Sequence, residues 1–153
     1  MIRLDFRLDP GFNAQTNASD LISADEVALR FKIAVGDIIF EANGCDFSAK
    51  WGWVPIIDFA VSLRNIIGNL VAHEDSESVF EFTESNATIS FERCEDSVLI
   101  LASYASCQAT VEFDELVLAI DDFSQRVFHS VTEHYPLLLE NPAFRNLIPV
   151  VPD

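Results

Sequence analysis

Between residues 79 and 113 the chain alternates apolar and polar side chains through four segments, Val79–Glu84, Ala87–Arg93, Ser97–Tyr104 and Gln108–Phe113. Such alternation marks half-buried strands. The connections, Ser85-Asn86, Cys94 to Asp96 and Ala105 to Cys107, are far shorter than the dozen or so residues a parallel crossover needs. The four segments are therefore expected to form an antiparallel meander. Its core-facing positions read Phe80 and Phe82, Ile89 and Phe91, Val98 and Ile100 (or the equally apolar Leu99 and Leu101), then Ala109, Val111 and Phe113. The third strand is apolar on both faces, which places it centrally or covers its second side.

A helix is expected immediately before the meander. From Pro55 to Ala72, Ile56, Phe59, Ala60, Leu63, Ile66, Ile67, Leu70 and Val71 recur at spacings of three and four. Asp58, Ser62, Asn65 and Asn69 take the opposite face, and Pro55 suits a first turn. A second helix follows the meander, with Asp114 as a cap, Glu115 in the first turn, and a stripe of Leu116, Ile120, Phe123, Val127 and Val131 running toward Tyr135-Pro136. The proline-broken tail gives one or two helical turns docked through Leu138, Phe144 and Leu147.

The N-terminal third reads mainly as strand. Ile2, Leu4, Phe6 and Leu8 alternate with charged residues, and Gly11 to Asp25 has loop composition and is expected to be the mobile segment. Alternation over Glu26–Val35 predicts a second strand, with Gly36-Asp37 as a hairpin turn into Ile38–Ala42. Arg3, Arg7, Arg30 and Lys32 then fall on one outward face. Asn43-Gly44 is a turn, and Trp51 and Trp53 lead into the helix, as a cover for its end or as an exposed aromatic anchor. The sum is a single α+β domain, residues 1–153, in the order β-β-β-α-β-β-β-β-α-(α). It has a mainly antiparallel sheet of about six to seven strands and helices packed on one face.

Charge narrows function. With 25 acidic against 9 basic residues the formal net charge is −16. Nucleic acid and anionic membranes are therefore excluded as partners, while basic proteins are attracted. The N-terminus has neither signal- nor transit-peptide character. Cys45, Cys94 and Cys107 show no metal-ligand spacing and read as free thiols of a reducing, cytoplasmic setting.

No catalytic constellation stands out, so the chain is not expected to be an enzyme. Cys107, His129 and Asp121 can be written as a nucleophile trio, but no spacing selects them. His129 and His134 lie on diverging helical faces, whereas His129 and Glu133 form an ordinary surface pair. No metal site, cofactor or phosphate-cradling loop is expected.

The segments WGWVPIIDFAVSL, FEFTESNATISF and HYPLLLENPAF resemble small acidic bacterial domains, some of which are immunity proteins of polymorphic or contact-dependent toxin systems. The resemblance implies a non-catalytic protein that binds and neutralises a cationic toxin domain, such as a basic nuclease. It transfers no site residues. An acidic adaptor module for another basic partner is the alternative. Meander geometry supplies the site: strands of alternating direction bring Glu74, Asp75 and Glu77 of the polar loop His73–Ser78, then Glu95 and Asp96, then Asp114 and Glu115 to one end of the sheet.

Overall fold

The structure is a computed structural model that describes residues 1–10 and 18–149. Among these, the elements run β1 (Ile2–Leu8), α1 (Ala18–Ser23), α2 (Glu26–Phe31), β2 (Val35–Ala42), β3 (Cys45–Asp46), β4 (Ala49–Pro55) and α3 (Ile56–Ala72). The meander β5 (Asp75–Glu81), β6 (Thr88–Cys94), β7 (Ser97–Ala102) and β8 (Gln108–Glu112) follows, then α4 (Phe113–His134), a 3-10 turn (Pro136–Glu140) and α5 (Pro142–Leu147). This is the expected α+β class with antiparallel strands throughout. The strands divide between two four-stranded sheets, one of β1 to β4 and one in the order β5-β6-β7-β8.

The second sheet follows the alternation. Ile89, Phe91, Val98 and Ile100 are fully buried, and Leu99 and Leu101 take the outer face. The helix α3 lies where its spacing placed it, with Phe59, Leu63 and Leu70 in the core. The Phe59 ring meets Phe80 at 5.0 Å, Phe82 at 6.2 Å and Phe123 of α4 at 5.8 Å. Phe40 of β2 stacks on Phe91 of β6 at 6.4 Å, so the two sheets share this core directly. Leu138, Phe144 and Leu147 dock the tail as expected. Asn141 fixes its start, because its amide donates to the carbonyls of Leu21 (2.8 Å) and Ala24 (2.9 Å).

The N-terminal third departs from the alternation. Glu26–Phe31 is a helix and not a strand, because local signals for helix outweigh a period of two. Asp25 caps it by accepting from the Ala28 amide at 2.9 Å, and Glu26 pairs with Arg30 one turn on at 3.4 Å. Leu29 is buried while Val27 is exposed, the reverse of what one strand face would give. Gly36-Asp37 is no turn: both lie within β2, opposite Leu8 and Arg7. Glycine is required there by close approach, since a Cβ would stand 1.9 Å from the Arg7 carbonyl oxygen. The turn is at Asn43-Gly44, where both residues have positive φ. Of the expected loop, residues 18–23 are α1, and residues 11–17 lie outside the described residues.

Two further expectations are corrected. Cys45 and Cys107 are not free thiols but a disulfide, Cα to Cα 5.9 Å, which ties β3 to the approach to β8. Closing a loop between residues 62 apart removes about 4 kcal/mol of unfolded-chain entropy in the chain-entropy picture. Cys94 alone is free. Asp58 is not on a solvated face: its side chain is 7% exposed and Arg30 of α2 lies 2.6 Å away. Arg30 therefore faces inward to α3, away from the outward face expected of it. Among the described residues, no helix is long and apolar enough to cross a membrane.

Burial pushes the Asp58 carboxyl above its ordinary range, with the Arg30 hydrogen bond and charge opposing the shift. Arg30→Met leaves burial opposed only by the Ser62 hydroxyl, so the folded-state pKa rises further above the unfolded 3.8. A raised carboxyl pKa gives stability that is present at low pH and lost as the pH rises through the folded value. The variant should lose roughly 3–5 kcal/mol near neutrality, and chemical denaturation should show a larger loss at about pH 8 than at about pH 5. Equal losses at the two pH values would contradict a charged Asp58 held by Arg30.

Candidate functional site

The end of the second sheet where β5 begins, β6 turns into β7, and β8 passes into α4 is stitched by its backbone. The Glu95 amide donates to the Glu74 carbonyl at 3.2 Å, and the Phe113 amide to the Asp96 carbonyl at 2.7 Å. The three acidic segments thus share one end. Beneath them lies Arg93, whose guanidinium stands 3.8 Å over the Phe113 ring. It donates to the carbonyl oxygens of Glu95 (2.8 Å) and Leu70 (2.6 Å). The nearest arginine is therefore spent on carbonyls and a ring, and holds the last turn of α3 to the β6–β7 turn.

The individual carboxylates differ in setting. Glu74, Glu95, Asp96 and Asp114 are exposed at the end itself. Asp114 is not the cap: Glu112 takes that position without a side-chain bond, and Asp114 and Glu115 sit in the first turn, where the helix dipole favours them. Glu115 is the member with a cation, the N-terminal ammonium at 3.3 Å. Asp75 and Glu77 are not in a loop. They pair within β5, opposite Cys94 and Glu92, and point from the open face of the sheet.

That face belongs to the site and is larger than the expected edge. Its rows follow from the register: Asp75, Cys94, Ser97 and Glu112; then Glu77, Glu92, Leu99 and Thr110; then Val79, Ser90, Leu101 and Gln108; and finally Glu81 beside Thr88. Among these residues there is no cation, and among the described residues no ion pair engages their carboxylates. Glu77 lies directly opposite Glu92, an arrangement that costs stability. Glu92 and Glu112 were missed from the sequence, although the two-residue turn Glu95-Asp96 fixes the β6–β7 register and period two then places Glu92 outward. Glu95 also adopts a positive φ of 55° in that turn, a conformation that favours glycine.

Elsewhere the structure offers less. Trp51 and Trp53 stack at 5.3 Å on β4, and Trp51 meets Phe82 (5.0 Å) and Tyr104 (5.2 Å) edge-on at the opposite end of the second sheet. Tyr104 donates to the Phe47 carbonyl at 2.6 Å, and burial raises its phenol far above the usual value. A cleft of about 740 Å³ between β1 and α4 contains His129 and Arg126. Arg126 is consumed by Asp5, Asp122 and the Leu4 carbonyl, and His129 pairs with Glu133 at 3.0 Å. Cys107, held in the disulfide, supplies no thiolate for a trio with His129 and Asp121. Among the described residues, no group of three or more His, Cys, Asp or Glu converges as a metal site.

No protein-family model, curated protein or solved structure matches the chain.

The like-charged pair can be measured. Glu77→Lys converts it to an opposite-charge pair and should raise stability by about 0.5 kcal/mol at low salt, a gain that fades as salt is added. A cycle with Glu92→Gln that shows no coupling between the two positions would refute the interaction.

Proposed function

We propose that this chain is a non-catalytic immunity protein that binds a cationic toxin domain, a basic nuclease being the simplest case, and neutralises it through the acidic end and face of its second sheet. The observation that supports this reading is the concentration there of carboxylates that, Glu115 apart, have no ion-pair partner among the described residues, with a repulsive cross-strand pair retained in the sheet. A solvated face needs charge for solubility, but not like charges set directly opposite one another. A cationic partner supplies the missing counter-charge. Basic side chains meeting Glu74, Asp75, Glu77, Glu95, Asp96, Asp114 and Glu115 would also block a nuclease surface evolved to hold phosphate.

The acidic surface serves equally an adaptor that assembles with a different basic protein, and the genomic neighbour distinguishes the two. Expression of the adjoining reading frame should arrest growth, and co-expression of this chain should restore it. The quadruple variant with Asp75, Glu77, Glu95 and Asp96 changed to lysine should fold and fail to restore growth. A harmless neighbour, or full protection by the quadruple variant, would overturn the immunity reading. A cytoplasmic setting was inferred from free thiols, and the Cys45–Cys107 bond removes that ground.

A further inference from the structure

The open face of β5 to β8 is not uniformly acidic. Its centre is apolar: Leu99 and Leu101 on β7 and Val79 on β5 point outward, Val79 being 47% exposed. Leu101 and Val79 occupy one cross-strand row with Ser90 between them, and Leu99 lies in the next row beside Glu92. Carboxylates surround this centre, with Asp75, Glu77 and Glu92 toward the acidic end, Glu112 on β8 and Glu81 on the far side. An apolar centre within a charged rim is the anatomy of a protein interface, where the desolvated middle carries the affinity. No helix or strand of the described residues covers it; the other face is buried in the core through Phe80, Ile89, Phe91 and Ile100, where Phe80 meets Phe59 of α3 and Phe91 stacks on Phe40 of β2.

Resting on the acidic-partner reading above, we propose that the basic partner docks on this face as well as on the end, seating an aliphatic or aromatic side chain between Leu99, Leu101 and Val79 while lysines or arginines around it meet Glu77, Glu92 and Glu112. Charge selects this occupant. A second copy applied face to face would set carboxylates against carboxylates. The area argues the same way. Four strands about 4.8 Å apart and some six residues long at about 3.4 Å per residue cover about 400 Å², half of the roughly 800 Å² that one partner contributes to a stable complex. The face alone therefore falls short of that figure, and the adjoining acidic end extends it. The end steers and the face holds, so loss of the apolar centre should act on the dissociation rate and loss of end charges on the association rate.

The probes are two synthetic peptides of equal charge, one of lysines and arginines flanking a central Trp-Leu, the other with Ser-Gly at the centre. They are titrated into the full chain at low salt, with backbone amide shifts as the readout. The Trp-Leu peptide should bind about tenfold more tightly and move the amides of Leu99, Leu101 and Val79. The double variant Leu99→Thr, Leu101→Thr puts β-branched residues that suit a strand at the outward positions and should remove that tenfold advantage without changing the far-ultraviolet spectrum. Should this variant unfold, Val79→Thr on the edge strand should cut the advantage at least twofold. Equal binding of both peptides, with shifts confined to Glu74, Glu95 and Asp114, would overturn the docking face and leave the acidic-partner reading standing. No binding by either peptide at low salt would overturn both. Self-association of the free chain through Leu99 and Leu101 would assign the face to a second copy instead.

Discussion

Phe59 is the contact on which the architecture depends. From the first turn of α3 its ring reaches Phe80 and Phe82 at the β5 edge and Phe123 of α4 at once, and Phe123 in turn meets Phe6 of β1 at 5.9 Å. Both sheets and both long helices are therefore locked through one side chain. Edge-to-face and offset ring contacts contribute beyond their buried area and fix relative orientation. Because α3 and the first sheet both meet the core side of β5 to β8, through Phe59–Phe80 and Phe40–Phe91, that face is buried. Among the described residues, the other face is left to solvent.

That asymmetry converts packing into a surface. In an antiparallel sheet with one face solvated, the outward positions are free of core constraints. Here they hold carboxylates without cations and an aliphatic centre. The turn at Glu95 and the pair Glu77–Glu92 each work against stability, and a core with Phe40, Phe47, Phe59, Phe91, Phe123 and Phe144 fully buried, together with the Cys45–Cys107 bond, tolerates that cost. On the proposed reading a cationic partner relieves the repulsion at the same place.

The meander, the two long helices and the docking of the tail were legible because each rests on a long period or a short connection. The end of the sheet that gathers Glu74, Glu95 and Asp114 followed from the same alternation of strand direction. Glu26–Phe31 misled because Val27, Leu29 and Phe31 alternate by chance, whereas Asp25 and the Glu26–Arg30 spacing carry the helical signal. Gly36 read as a turn because glycine has two uses, and only the three-dimensional passage of β1 beside it distinguishes close approach from reversal. Asp75 and Glu77 read as loop because Ser and Asp residues are poor strand formers, and pairing with β6 overrides that preference. The disulfide was not legible, since Cys45 and Cys107 come together only when the first sheet packs on the second.

The most direct test of the central claim is the association rate of this chain with the product of the adjoining reading frame as ionic strength is raised. Steering by a net charge of −16, with carboxylates of the second sheet at the docking surface, should give a rate that falls at least tenfold between about 0.01 M and about 1 M salt, where the screening length shrinks from about 30 Å to about 3 Å. The dissociation rate, set by the aliphatic centre, should change far less. An association rate that does not vary across that range would contradict the account, because the acidic surface would then play no part in finding the partner.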